Sequence, residues 1–135
     1  MTTRQDIIDH ARKFLGVRWR HQGRSERGLD CIGLIVRVAH DLGLSDYDNF
    51  GYKRIADTRR LEEELDVQMI RVPRDLAKPG DVMLMQYGGN PQHVAIRTDH
   101  GIIHAMIGEQ KVVEHRLNHI WLARIIRAYQ FKGIE

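Results

Sequence analysis

The sequence is short of several things, and each shortage closes off a class of function. It holds one cysteine, Cys31, in 135 residues. That excludes an intramolecular disulfide framework, a multi-cysteine zinc site and a Cys-x-x-Cys redox pair. No apolar run approaches the roughly 20 residues of a membrane helix, so membrane insertion is not expected. The first residues, Met1-Thr2-Thr3-Arg4-Gln5-Asp6, lack the basic-then-apolar design of a secretory signal. The protein is therefore expected to be made in the cytoplasm and to leave it only if something carries it out. The net charge is +3 and the pI near 9.2, yet lysine and arginine are scattered and no aromatic-basic recognition motif occurs. Nucleic acid is not an expected partner. Repeats, low-complexity tracts and linkers are also missing.

What is present suits an ordinary globular protein: 42% hydrophobic and 29% charged residues, read as a single domain over residues 1–135. One stretch organises the rest, Gly28-Leu29-Asp30-Cys31-Ile32-Gly33-Leu34. Before it lies a polar, glycine-punctuated segment that includes Trp19, His21, Gln22 and Arg24. After it, Ile32, Ile35, Val36, Val38, Ala39 and Leu42 recur at helical spacing as far as Gly43. Asp30 suits the N-cap of that helix, with Cys31 in the first turn. Unpaired backbone N–H groups and the positive end of the dipole favour a thiolate there, which predicts a depressed pKa and a nucleophilic Cys31.

Along the rest of the chain, Thr3 and Asp6 form a capping box opening a helix over residues 3–15. Residues 16–29 read as a loop, and a short helix capped by Asp57 runs to about Leu65. Pro79-Gly80-Asp81 marks a sharp turn. Beyond it, Val82–Met85 reads as a strand buried on both faces and Gly88–Pro91 as a loop. Val94–Ile96 follows as a strand, then Asp99–Gly101 as a turn using residues that tolerate positive φ. Ile102–Ala105, Lys111–His115 and Ile125–Phe131 complete the strands. Helices first and hairpin-linked strands afterwards predict an α+β fold with an antiparallel sheet of five or six strands.

A thiol nucleophile needs a base, and eight histidines are available. His115 and His119 are four apart, but the strand-like Val112-Val113 and Asn118 argue against the helix that metal binding would require. His93 opens one strand and His104 ends its hairpin partner, so the two meet at one end of the sheet. One can serve as base and the other can orient it.

The motifs Gly28-x-Asp30-Cys31-x-Gly33-Leu34, Pro79-Gly80-Asp81, His93-Val94-Ala95-Ile96 and Ile103-His104-Ala105 resemble, in order and spacing, the NlpC family of cell-wall cysteine peptidases. The segment Trp19-Arg20-His21-Gln22-Gly23-Arg24 resembles the branch carried by bacteriophages and prophages in tail-associated wall hydrolases. The resemblance implies a papain-like fold with Cys31 as nucleophile, His93 as base and His104 as the orienting third member. It implies hydrolysis of an amide in the peptidoglycan stem peptide, commonly between D-glutamate and diaminopimelate, without metal or organic cofactor. Phage tail proteins become the expected partners and the periplasm the place of action. This chain has Ile32 where the family has Ser, and Trp19 where many members have a Tyr whose hydroxyl lies near the nucleophile. That leaves His21 or Gln22 to take over the polar role, so Trp19, His21, Gln22 and Asp30 are the candidate substrate or oxyanion residues. Two rival readings keep the fold: a virion tail component that only grips peptidoglycan, and an acyltransferase.

Overall fold

Helix α1 (Arg4–Arg12) starts where the sequence supplies both halves of a cap. In the computed structural model, which describes residues 1–49, 52, 58–87 and 89–135, Thr3 Oγ1 accepts the Asp6 N–H at 3.1 Å and Asp6 Oδ2 accepts the Thr3 N–H at 2.9 Å. Helical hydrogen bonding stops at Arg12, three residues before the expected end, and Lys13 to Gly16 form turns. The loop that follows contains a small hairpin, β1 (Arg24–Ser25) and β2 (Gly28–Leu29). This leads directly into α2 (Cys31–Asp41).

Helix α3 (Thr58–Gln68) runs three residues further than the sequence suggested, and the expected Asp57 cap lies outside the described residues. Strand β3 (Ile70–Val72) and a 3-10 turn over Arg74–Leu76 occupy a stretch in which no pattern was legible. Then come β4 (Val82–Tyr87), β5 (Asn90–Arg97), β6 (Gly101–Met106) and β7 (Lys111–Arg116). Pro91 therefore belongs to a strand rather than a loop, while Gly88 lies outside the described residues. Helix α4 (His119–Arg124) and β8 (Ile125–Gln130) complete the chain. The six-stranded sheet is antiparallel, in the order β3-β8-β4-β5-β6-β7. It is the α+β architecture expected. Among the described residues no helix is long and apolar enough to cross a membrane.

Alternation along the strands builds two cores. Val82, Leu84, Val94, Ile96, Ile103 and Tyr129 join Ile7, Leu34, Ile35 and Val38 of α1 and α2 on one face. Met83, Met85, Ala95, Ile102, Ile125 and Ala128 form the other, against Trp121 and Leu117. Burial on both faces explains why β4 reads as a continuous apolar run.

The turn into β4 needs its glycine. Gly80 has φ +93°, and a Cβ there would stand 2.9 Å from that of Arg4. Buried Asp81 accepts the Lys78 N–H at 2.8 Å and Arg4 Nη1 at 2.6 Å, tying α1 to the sheet. At the Asp99–Gly101 turn the sequence reading needs correction. Among described non-glycine residues positive φ occurs at Gln22 and Gln110, not here. The Thr98 hydroxyl holds this turn instead, accepting the Gly101 N–H at 2.9 Å.

Candidate active site

The site begins with the cap of α2. Asp30 is buried, and its Oδ1 accepts the Gly33 N–H at 2.7 Å, satisfying one of the free donors of the first turn. Its other oxygen accepts the Gln22 N–H at 2.7 Å and the Tyr52 hydroxyl at 2.6 Å, while Arg24 Nη1 approaches Oδ1 at 3.3 Å. The carboxylate thus clamps the preceding loop to the helix that carries Cys31. Gly33 is required by the same closeness, since a Cβ on it would lie 2.0 Å from the Gly23 carbonyl oxygen.

Cys31 is half-buried at the head of α2, against the core that includes Val94. Burial, followed by the Asp30 carboxylate, pushes the thiol up to about 12, although the backbone N–H groups of Val94, Ile32 and Cys31 itself pull the other way. This reverses the depressed pKa expected from a helix N-terminus. The N–H groups are present, but desolvation of the sulfur and one adjacent negative charge outweigh them.

One residue before Val94 stands His93, which pairs with Met85 across β4 and is 8% exposed. Its Nε2 lies 2.8 Å from Nδ1 of His104, which is wholly buried. The hairpin therefore brings the two imidazoles together at one end of the sheet. This leaves Nδ1 of His93 as the ring nitrogen to receive a proton. The chain of rings continues, since His104 Nε2 faces His115 Nδ1 at 3.1 Å. Trp121 stacks on His115 at 5.3 Å and stands edge-on to His104 at 5.1 Å. Burial, then the Arg124 charge, lowers His93 to about 4. Burial, then His93 and His115, lowers His104 further. At neutral pH both rings are uncharged acceptor–donor groups.

Those shifts have a stability consequence. The unfolded imidazoles take up protons near 6.5, but the folded His93 does so only near 4. Between these values the unfolded state binds more protons, so stability falls as pH falls through that window. Carboxylates held low by partners, such as Asp99 beside Arg12, lose their contribution only below about pH 4. We expect Tm to drop between pH 6.5 and pH 4 and the drop to be shallower in His93→Gln. Equal slopes in the two proteins would contradict the assignment.

The other expected residues are distributed unevenly. Gln22 has φ +59° and spends its main-chain N–H on Asp30 and its side-chain amide on the Tyr52 carbonyl at 3.1 Å. It supports the clamp. The His21 ring stands edge-on to Tyr52 at 5.6 Å, with Nδ1 buried and without a hydrogen-bond partner among the described residues. Trp19 is partly buried against the main core and bridges to Leu29, lining a recess with Arg18, Ile107 and Gln110. A separate group, Asp99, His100 and Glu114, has ligand atoms within 4.8 Å of one another. Arg12 already donates to both of its carboxylates, at 2.7 Å and 3.0 Å, and supplies the positive charge. His115 and His119 do not share a helix: the first lies in β7, and Asn118 caps α4 at the second.

The NlpC/P60 family model matches residues 16–130, a span holding the cap, Cys31 and all three histidines of the chain of rings. This chain belongs to the NlpC/P60 family. Solved NlpC/P60 structures share its fold. The NlpC/P60 family protein of Bacillus cereus superposes with TM-score 0.73 at 21% identity, over 96% of this chain and 40% of its own. The NlpC/p60 domain of the peptidoglycan hydrolase SagA gives TM-score 0.69 at 23% identity, over 96% of this chain and 99% of its own. The peptidoglycan hydrolase RipB of Mycobacterium tuberculosis gives TM-score 0.65 at 20% identity, over 95% of this chain and 64% of its own. The chain thus spans less than half of the Bacillus cereus protein but nearly all of the SagA domain. No curated protein matches it in sequence.

In this NlpC/P60 chain two tyrosines lie against the residues of the site. Tyr52 places its oxygen on Asp30, next to the cysteine. Tyr87, the last residue of β4, stands edge-on to His93 at 5.7 Å. Burial raises its hydroxyl; Arg124 opposes that and Cys31 adds to it. Neither tyrosine was legible from spacing, because each reaches the site from a different element. The sequence reading ends this strand at Met85, so Tyr87 joins it only in the structure.

Proposed function

We propose that this chain is a cysteine peptidase that hydrolyses an amide bond in the peptidoglycan stem peptide, between D-glutamate and diaminopimelate. Membership of the NlpC/P60 family supports the class of reaction. So do the activities named for SagA and RipB. The observation that carries the reading is the 2.8 Å His93–His104 hydrogen bond, on the strand whose next N–H meets the Cys31 sulfur.

In this mechanism the resting pair is a thiol and a neutral imidazole. As Cys31 Sγ attacks the amide carbonyl carbon, its proton passes to His93 Nδ1. His104 accepts the His93 Nε2–H and keeps that tautomer, as a triad's third member does. The developing oxyanion is met by the Cys31 N–H at the head of α2, where the helix dipole is favourable. His93 then gives its proton to the leaving amine, and the C–N bond breaks to leave a thioester. Water, deprotonated by His93, releases the acid and restores the thiol.

The Trp19–Arg24 segment supports a further part of the reading, carriage in a phage or prophage tail and delivery to the periplasm. Sedimentation of purified sacculi tests the enzymatic claim against simple binding. Wild-type protein is expected to release soluble amine-bearing fragments into the supernatant. Sedimentation with the wall and no release would make the chain a binding protein.

A further inference from the structure

Arg124 ends α4 beside the histidines and is half-buried there. Its guanidinium carbon lies 4.7 Å from the centre of the Tyr87 ring and 4.7 Å from that of Trp121. Each of those rings touches the site in turn, Tyr87 against His93 at 5.7 Å and Trp121 against His104 at 5.1 Å. Several arginines of the fold answer a carboxylate: Arg4 pairs with Asp81, Arg12 with Glu114, Arg24 with Asp48 and Arg71 with Asp66. Arg124 has no carboxylate partner among the described residues. It donates to the Tyr87 hydroxyl, and as a partly desolvated cation without a carboxylate it stands next to a base that must stay neutral.

The two aromatic faces explain how it is held. Contact with ring faces stabilises a guanidinium and restrains its plane. The N–H groups not spent on Tyr87 remain directed in that plane, a fork that fits a carboxylate and does not fit an uncharged amide equally well. We propose that Arg124 is a specificity-determining residue that binds a carboxylate flanking the scissile amide of the substrate. The inference rests on the peptidase reading above and names what that site selects. A stem peptide cut between D-glutamate and diaminopimelate offers such a group on either side. D-glutamate linked through its side chain keeps its α-carboxylate, and diaminopimelate carries carboxylates on the amine side. Ion pairing in a half-buried site strengthens binding and orients the amide toward Cys31.

The test uses three synthetic L-Ala–D-Glu–diaminopimelate peptides. One is the free acid, one is amidated at the D-glutamate α-carboxyl, and one is amidated on the diaminopimelate side. Wild-type protein is expected to cleave the free acid with kcat/KM about 10- to 100-fold above one of the amides. The amide that suffers identifies the carboxylate. Arg124→Gln should lose that preference, chiefly through KM, and fall to the level of the poorer substrate. Arg124→Lys should keep part of it, and its activity also guards against a glutamine variant that fails to fold. Removing the charge should in addition move the acid limb of the kcat profile upward, because Arg124 opposes protonation of His93. Equal cleavage of all three peptides by wild type would overturn the role of Arg124 and leave the peptidase reading standing. An equal loss on every peptide in Arg124→Gln would do the same, reducing the residue to packing. Cleavage of none by wild type would overturn both.

Discussion

Replacing Cys31 with alanine is expected to lower turnover of peptidoglycan at least about a thousandfold while leaving the protein folded. The chemistry has no second route, since the sequence contains no other thiol. The loss should fall on kcat, because the sulfur forms the bond that breaks the amide. Stability should change little. The cap that starts α2 is made by the Asp30 side chain on the Gly33 N–H, and neither group is touched by the substitution. Cys31 is also only half-buried, so losing one sulfur atom removes modest packing, on the order of 1 kcal/mol. Rates on purified sacculi, together with thermal unfolding, check both halves. A folded Cys31→Ala protein that digests cell wall at the wild-type rate would dispose of the nucleophile assignment.

The second large effect separates two residues that a sequence motif treats alike. His93→Ala is expected to cost about 100- to 10,000-fold in kcat, the usual worth of a positioned acid–base group. His104→Ala should cost less. In the structure His93 spends only Nε2, on His104, among the described residues, whereas His104 spends one nitrogen on His93 and the other on His115. A group with both nitrogens committed holds a tautomer; it does not carry protons to substrate. His104→Asn should recover part of the alanine loss, because an amide oxygen can accept the His93 N–H. If His104→Ala proved the more damaging variant, the roles of base and orienter would be exchanged.

Much of this arrangement was written locally in the sequence. Asp30 ahead of apolar residues at helical spacing announces a capped helix, and the cap is there. His93 and His104 flank a short turn, and antiparallel pairing requires their ends to meet. Five of the six strands likewise follow from short apolar segments between turn residues; β3 does not. What was not legible depends on contacts between distant segments. His115 joins His104 across β6 and β7 on the same sheet face as Ile102, opposite which it pairs. Its spacing from His119 had pointed instead to a question about metal. Tyr52 reaches Asp30 from 22 residues away. Helix α4 is six residues long and its apolar side chains are largely exposed, so no helical stripe marks it. That helix nevertheless delivers Trp121 and Arg124.

The thiol pKa was misjudged for a related reason. Helix position is a local property, whereas desolvation and the charge of Asp30 come from the folded surroundings. The family pattern marks the Asp for its place before the cysteine. In the fold it is also the anchor for Gln22, Tyr52 and Arg24.

The most direct test of the account is mass spectrometry of the muropeptides released from a defined diaminopimelate-type cell wall. The account predicts fragments with a newly exposed diaminopimelate amine and a matching D-glutamate carboxyl terminus, with glycan chains intact. Cuts confined to glycosidic bonds, or release with every stem peptide whole, would contradict it.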